Sequence, residues 1–206
     1  MTLPHRPGRP TSGAVRLERG DTAIRPFVRS DLEALLELRR SNREFMAPFE
    51  AVRSDAFFTR AGQAREIALD AEAWTAGAGY AFAVLALPPE DEDHGGPERL
   101  VGRIALSNVV RGPWQNATVG YWIDVGAGGR GHATDALRLT CRFAFEHLGL
   151  HRVQPAIMPR NRRSQRVVEK VGFRHEGTAL GYLKIAGTWE DHHIYALTRE
   201  EWLARP

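Results

Sequence analysis

Apolar and polar positions along the chain form patterns that predict seven strands and four helices. Five short apolar runs bounded by polar or turn-forming residues predict the first five strands. They are TAIRPF (22–27), YAFAVLAL (80–87), RLVGRIALSNV (99–109), NATVGYWID (116–124) and HRVQPAIMP (151–159). The third and fourth runs flank VRGPWQ and are expected to pair as an antiparallel hairpin. Two more strands follow residue 172 and turn near Ala186 and Gly187.

Apolar residues at helical spacing predict four helices in the segments between these strands. Residues 31–40 and 56–74 carry the first two helical patterns. A third helix follows the fourth strand and carries an apolar stripe at three-to-four spacing. The stripe consists of Ala133, Ala136, Leu137, Cys141, Ala144, Phe145 and Leu148. A fourth helix is predicted over 161–171, and a glycine follows each of the last two helices, as is typical of helix ends.

Length and composition narrow the class of protein. At 206 residues, the chain fits a mobile tail over 1–20 and a single domain over 21–204 with a full hydrophobic core. Apolar residues make up 43% and charged residues 26%, which excludes a disordered or fibrous class. The net charge of +3 arises from interleaved acids and bases, so we expect no direct nucleic-acid binding.

Three features predict a cytoplasmic protein that does not enter a membrane. The N-terminal MTLPHRPGRPTSG lacks the apolar segment of a signal peptide. The longest apolar run, 80–87, is far shorter than the ~20 residues that span a bilayer. Cys141 is the only cysteine, so an intrachain disulfide is excluded, and its position on the inner face of a helix predicts a packing role.

The segment GAGGRGHA (126–133) joins the fourth strand to the third helix, where glycine-rich turns often bind phosphates. Gly126, Gly128 and Gly131 match the dinucleotide fingerprint G-x-G-x-x-G. The start of the NTPase loop is also present, but its Lys and Ser or Thr are replaced by His and Ala. An acyl-coenzyme A loop needs Gly and then Gly or Ala two residues apart at a helix start, which this segment provides. A turn without a ligand is the fourth interpretation.

The rest of the chain disfavours the dinucleotide interpretation. Such a fold needs several successive β-α-β units, and only one complete unit follows this loop. It also needs an acid at the end of the next strand to bind the ribose, and HRVQPAIMP contains none. The fingerprint match is therefore interpreted as a coincidence in a glycine-rich loop.

Several motifs in their order resemble the GCN5-related N-acetyltransferase (GNAT) family. They are VGYWID, GGRGHA, TDALRLTCRFAFEHL, HRVQPAIMP and NRRSQRVVEKVGFRHEG, and the resemblance extends from about Thr22 to Trp202. SNVVRG, MPRNRRS and LKIAGTWEDH are similar to the RimJ and RimL group, which acetylates the N-terminal amines of ribosomal proteins. NREFMAPFE (42–50) resembles the acceptor-side loop of that group.

The resemblance implies a mixed α/β fold with a mostly antiparallel sheet that splays between strands four and five. It implies direct acetyl transfer from acetyl-CoA to an amine without a metal. The expected acceptor is a ribosomal protein that begins with alanine or serine, and the expected enzyme is a monomer or homodimer. A small amine, such as an antibiotic or polyamine, is an alternative acceptor. A module that binds acyl-CoA without turnover is a further alternative.

The resemblance also implies where the coenzyme binds. N–H groups from Gly129 to Ala133 are expected to converge on its pyrophosphate, helped by the positive end of the helix. Arg130 is expected to add a charge, with a solvent-exposed loop arginine as the alternative. The family's loop usually opens with Gln or Arg, whose side chain Gly128 lacks. The predicted coenzyme-binding residues are Trp122, Ile123, Asp124, Val125, Gly128, Gly129, Arg130, Gly131, His132, Ala133, Thr134, Asn161 and Ser164.

Ser164 and Asn161 are the predicted catalytic residues. The resemblance places the Ser164 hydroxyl near the coenzyme sulfur and makes Asn161 a coenzyme contact. Capping of the fourth helix is the alternative role for both. A thiol has a pKa of ~8.5, far below that of a serine hydroxyl, so we expect a hydrogen bond to the departing thiolate rather than proton donation.

No motif identifies the general base. An α-amine, with a pKa of ~7.7–8.0, is neutral far more often at pH 7 than a lysine at ~10.4, so a weak base or a water chain suffices. The candidate bases are Glu50, Glu176, Asp191 and His192, and surface charges are the alternative. WEDHH (189–193) predicts no metal site, because adjacent residues of a strand point to opposite faces. The predicted acceptor-side residues are Phe49, Glu50, Tyr121, Tyr182 and His192.

Overall fold

The computed structural model describes residues 15–88 and 96–204, which form nine strands and six helices. The strands are β1 (Leu17–Arg19), β2 (Thr22–Pro26), β3 (Tyr80–Ala86), β4 (Arg99–Val110), β5 (Asn116–Ile123), β6 (Arg152–Gln154), β7 (Ala156–Ile157), β8 (Arg174–Ile185) and β9 (Thr188–Thr198). The helices are α1 (Leu32–Ser41), α2 (Arg43–Met46), α3 (Arg60–Ala76), α4 (His132–Arg142), α5 (Arg162–Val171) and α6 (Arg199–Leu203).

The strands form one mixed sheet in the order β1-β2-β3-β4-β5-β6-β9-β7, and β8 pairs with β9. Every pairing is antiparallel except that of β5 with β6. The predicted hairpin of the third and fourth strands is β4 with β5, and the last two strands turn at Ala186 and Gly187. The predicted mixed α/β fold with a mostly antiparallel sheet is therefore confirmed.

Two strands and two helices exceed the predicted numbers. The predicted fifth strand is divided into β6 and β7 by Pro155, which has no N–H to donate to a ladder. The other additional strand, β1, is only three residues long. α2 and α6 have four and five residues, too few for a periodicity of 3.6 to be visible in the sequence.

Apolar clusters cover both faces of the sheet. One cluster holds the inner stripe of α4, including Leu137 and Cys141, which are completely buried. The smaller cluster on the other face combines Leu35 of α1 with residues of β3 and with Trp122 of β5. The predicted packing role of Cys141 is consistent with this burial.

The first fourteen residues of the predicted tail over 1–20 lie outside the described residues. Of the remaining six, Leu17–Arg19 form β1 and pair with β2, so the sheet begins before residue 21. Among the described helices, none is long and apolar enough to cross a membrane.

Candidate active site

The glycine loop presents a row of free main-chain donors at the start of α4. Gly129 and Gly131 have φ angles of +80° and +96°, which a side chain would strain, and Gly131 is the N-cap residue of α4. The first hydrogen bonds of the helix are donated by Thr134 and Asp135 to the Gly131 carbonyl, at 2.8 and 3.1 Å. Within the described part of the chain, the N–H groups of residues 129–133 have no acceptor. Five consecutive free donors at a helix N-terminus fit a pyrophosphate.

The side chains of the loop differ in whether they are free to contact a ligand. Arg130 is exposed, and no acid contacts it among the described residues. The imidazole of His132 is buried and lies 2.8 Å from Thr22 Oγ1, on the side away from solvent. The N–H of Gly128 donates to the Val125 carbonyl, so this glycine does not extend the row. Of the predicted coenzyme residues in the loop, His132 can therefore act only through its main chain.

The sheet opens between β5 and β7. Pairing of β5 with β6 ends at Thr118, and β7 pairs with β9 instead. Asp124 N–H donates to the Val101 carbonyl of β4 at 2.7 Å, so Trp122 and Asp124 direct their main-chain groups towards β4. By the alternation of an antiparallel ladder, Tyr121 and Ile123 direct theirs towards the opening. The sequence predicts that residues 122–125 line this opening. Of these four, only Ile123 directs its main-chain N–H and C=O groups into the opening, and Tyr121, which was not predicted to line it, does so as well.

Asn42 holds the end of β5 in place. This side chain is buried, and its amide nitrogen donates to Asp124 Oδ1 at 3.0 Å and to the Leu38 carbonyl at 2.9 Å. Its amide oxygen accepts the N–H of Val125 at 2.9 Å. The first residue of the acceptor-side segment therefore fixes the strand end that leads into the glycine loop.

Asn161, Ser164 and Tyr121 meet at the start of α5. Asn161 is the N-cap residue, and its Oδ1 accepts the N–H of Ser164 at 3.1 Å. The hydroxyl of Ser164 is not used in capping, because it lies 2.8 Å from the hydroxyl of Tyr121. The capping interpretation is thus correct for Asn161, whereas the Ser164 hydroxyl bridges to β5. Burial raises the pKa of Tyr121 above its ordinary value, and the hydrogen bond between Tyr121 and Ser164 opposes this effect only in part.

A buried arginine, Arg39 of α1, contacts the end of the acceptor-side segment. The guanidinium carbon of Arg39 lies 4.3 Å from the ring centre of Trp122 and 5.2 Å from that of Phe57. Its Nη1 donates to Glu50 Oε2 at 3.4 Å, and burial lowers the pKa of Arg39 to about 10. The side chain of Trp122 is therefore occupied by this stack on the face opposite Tyr121.

Arg160 connects the acceptor-side segment to the site. It donates to the Pro48 carbonyl at 3.0 Å and forms an ion pair with Glu190 at 2.6 Å. Arg160 directly precedes the N-cap residue of α5, so residues 47–50 lie beside the helix start that carries Ser164. The N–H of Ala186, at the β8–β9 turn, donates to the Glu50 carbonyl at 3.0 Å and holds the other side of the segment.

The remaining acceptor-side candidates lie on two separate elements. Phe49 contacts Phe45, with ring centres 6.4 Å apart, on the acceptor-side segment. Tyr182 and His192 face each other across β8 and β9 at 5.7 Å, and Tyr182 is the more exposed of the two. Tyr121 is grouped with Ser164 instead.

The four candidate bases already have hydrogen-bond partners. Glu176 binds Arg152 and Arg174, and these hydrogen bonds lower its pKa to about 2. The carboxylate of Asp191 accepts the N–H of Gly181 at 2.7 Å, and Glu50 is the partner of Arg39. His192 Nδ1 lies 3.0 Å from the Glu190 carbonyl. Arginines therefore neutralise Glu50 and Glu176, whereas a hydrogen bond from His192 Nδ1 to a carbonyl leaves the lone pair of a base on Nε2 of that ring.

Sequence analysis missed Arg39, Asn42 and Arg160. Their partners are distant in sequence, so no local pattern could identify them. Asn42 opens the segment NREFMAPFE and Arg160 lies in MPRNRRS, so the likeness of these two segments to the RimJ and RimL group was the signal available for both residues.

Comparisons with known proteins define the class of this fold and site. The family model for the acetyltransferase (GNAT) domain matches residues 22–174. The chain therefore belongs to the GNAT acetyltransferase family, and the predicted enzyme class, an acetyl-CoA-dependent N-acetyltransferase, is confirmed.

Individual relatives resemble nearly the whole chain. The probable N-acetyltransferase YjcK of Bacillus subtilis is 37% identical, over 84% of this chain and 92% of its own. The ribosomal protein uS5-alanine N-acetyltransferase of Escherichia coli is 30% identical, over 91% of this chain and 93% of its own. The structure of Mycobacterium smegmatis RimJ in complex with CoA-disulfide has a TM-score of 0.80 and 27% identity, covering 89% of this chain and 84% of that one. The predicted likeness to the RimJ and RimL group is thereby confirmed.

Proposed function

We propose that this enzyme transfers the acetyl group of acetyl-CoA to the N-terminal α-amine of a ribosomal protein that begins with alanine or serine. One observation carries the proposal. Arg160, directly before the N-cap residue of α5, donates to the Pro48 carbonyl and so tethers the acceptor-side segment to the helix start that carries Ser164. We infer that an acceptor bound along this segment presents its amine near the Ser164 hydroxyl. The likeness to a uS5-alanine acetyltransferase over nine-tenths of the chain supports this class of acceptor.

The coenzyme is assigned to the glycine loop and the opening in the sheet. Its pyrophosphate accepts hydrogen bonds from the free N–H groups of residues 129–133, and its arm runs along the open edge of β5 at Tyr121 and Ile123. The thioester supplies the activated acetyl group. Ser164 donates a hydrogen bond to the sulfur as negative charge develops on it, and Asn161 holds the backbone of Ser164 in place.

The arginine partners of three glutamates favour an α-amine over a polyamine as the acceptor. A polyamine requires several carboxylates that are free to bind cations, and Glu50, Glu176 and Glu190 are all paired with arginines. An α-amine has a pKa of ~7.7–8.0, so a useful fraction is neutral at pH 7 and attacks without a strong base.

A panel of acceptors tests the proposal. Purified enzyme is incubated with acetyl-CoA and octapeptides that begin with Ala, Ser or Lys, and the released thiol is measured. The matched controls are the same peptides with a blocked N-terminus, and spermidine is a separate acceptor. We expect release with free Ala and Ser peptides, and mass spectrometry should locate the acetyl group on the α-nitrogen. Transfer only to spermidine or to lysine side chains would refute the acceptor class, and coenzyme binding without any turnover would indicate a binding module.

A further inference from the structure

Tyr121 and Ser164 form a pair of hydroxyl groups that joins β5 to α5 at the opening in the sheet. The Tyr121 hydroxyl lies 2.8 Å from Ser164 Oγ and 3.2 Å from the Ser164 carbonyl oxygen. Both oxygens are therefore within hydrogen-bonding distance of one phenol. The pair thus ties β5, at a residue whose backbone faces the opening, to the first turn of α5.

The number of hydrogens limits how this pair can act. Each hydroxyl has one hydrogen to donate, and each oxygen can accept as well. If Ser164 donates its hydrogen to Tyr121, it has none left for a ligand. If Tyr121 donates to Ser164 Oγ, the Ser164 hydrogen is free to point elsewhere. The direction of the 2.8 Å hydrogen bond therefore determines whether Ser164 can act as a donor.

Two acceptors for Tyr121 make both directions accessible. While Ser164 donates to Tyr121, the phenol hydrogen can point to the Ser164 carbonyl oxygen at 3.2 Å. When an anion appears near Ser164, the phenol hydrogen turns to Ser164 Oγ, and the Ser164 hydrogen turns to the anion. Burial holds the pKa of Tyr121 above its ordinary value, so the phenol keeps its proton throughout.

We propose that Tyr121 is a positioning residue for acetyl transfer, which orients the Ser164 hydroxyl so that its hydrogen points to the departing thiolate. This inference rests on the proposed function, in which Ser164 faces the coenzyme sulfur. It also assigns Tyr121 to the leaving-group side of the reaction, rather than to the acceptor cleft expected from the sequence. The phenol acts on the thiolate only through Ser164.

A double-mutant cycle tests this inference. The variants are Tyr121→Phe, Ser164→Ala and the double variant, and Tyr80→Phe on β3 is the matched control for loss of a buried phenol hydroxyl. We expect Tyr121→Phe to lower kcat about tenfold, as for a lost hydrogen bond that supports a charged group, with KM for acetyl-CoA unchanged. Because Tyr121 acts through Ser164, the double variant should be no slower than Ser164→Ala. Tyr80→Phe should leave kcat unchanged.

The other outcomes of this experiment distinguish failure of the role of Tyr121 from failure of the proposed function. Unchanged kcat in Tyr121→Phe, or losses that multiply in the double variant, would overturn the role of Tyr121 while leaving the proposed function intact. A rise in KM for acetyl-CoA with unchanged kcat would assign Tyr121 to binding and overturn the inference as well. A wild-type enzyme that acetylates no amine would refute the proposed function and this role with it. Thermal unfolding of each variant shows that the fold is retained.

Discussion

Replacement of Gly131 by alanine is the most direct perturbation of the proposed coenzyme loop. A Cβ at this position would lie 3.6 Å from Asp135 Oδ2, which is an ordinary contact, so the side chain causes no steric clash within the protein. The energetic cost of the substitution arises from the φ angle of +96° at this position. A residue with a Cβ is strained in left-handed backbone by about 1–2 kcal/mol. The loop can relieve this strain by rotating its peptide groups. That rotation turns the free N–H groups of residues 129–133 away from the proposed position of the pyrophosphate.

If the coenzyme restores the strained conformation, the strain is subtracted from the binding free energy. A cost of about 1–2 kcal/mol corresponds to a Kd for CoA that is about five- to thirty-fold higher, measured by isothermal titration calorimetry. Gly112→Ala is the matched control, because Gly112 has a φ angle of +70° with open space around it and lies in the β4–β5 turn. It should lower Tm without changing Kd. An unchanged Kd in Gly131→Ala with an unchanged Tm, which would show that the loop has rotated without loss of binding, would refute the assignment of the loop.

Two further predictions concern stability. Asn42→Ala removes the hydrogen-bond partner of Val125 N–H and of Asp124. The free energy of unfolding, measured in urea, should therefore fall by about 1–3 kcal/mol, and CoA should bind more weakly. Wild-type values for both quantities would contradict the role given to Asn42. Glu176 has a pKa lowered to about 2, so its pairing stabilises the fold above the ordinary pKa of 4.5, and this contribution is lost as pH falls towards 2. The stability difference between wild type and Glu176→Gln should therefore shrink between these pH values, and a difference that is constant with pH would contradict the pairing.

The parts of the fold that depend on local sequence were predictable. The long strands, the apolar stripe of α4 and the glycine at the N-cap of that helix each follow from neighbouring residues, so their patterns are visible in the sequence. β7 was not separable from β6, because two residues carry no period and only Pro155 indicates the break. The capping role of Asn161 was available as an alternative because it concerns a residue three positions away.

The contacts that shape the candidate site were less predictable. Asn42 bonds to Asp124, 82 positions away, and Arg160 bonds to the Pro48 carbonyl, 112 positions away. The hydroxyl pair joins residues 43 positions apart. Such contacts depend on the packing of whole elements, and single residues within polar segments give no signal of them. The direction of each β5 backbone group likewise required the register with β4.

The opening in the sheet between β5 and β7 has a consequence for self-association. An unpaired strand edge is normally a site where a strand from another molecule can add and begin aggregation. Here the unpaired edge of β5 lies inside the sheet, with β7 and β9 of the same chain opposite it, and β6 closes one end. A slender, flexible molecule can enter such a slot, whereas a neighbouring protein cannot extend the ladder there. The protein thus keeps open backbone available for recognition without exposing it as a template for fibrils.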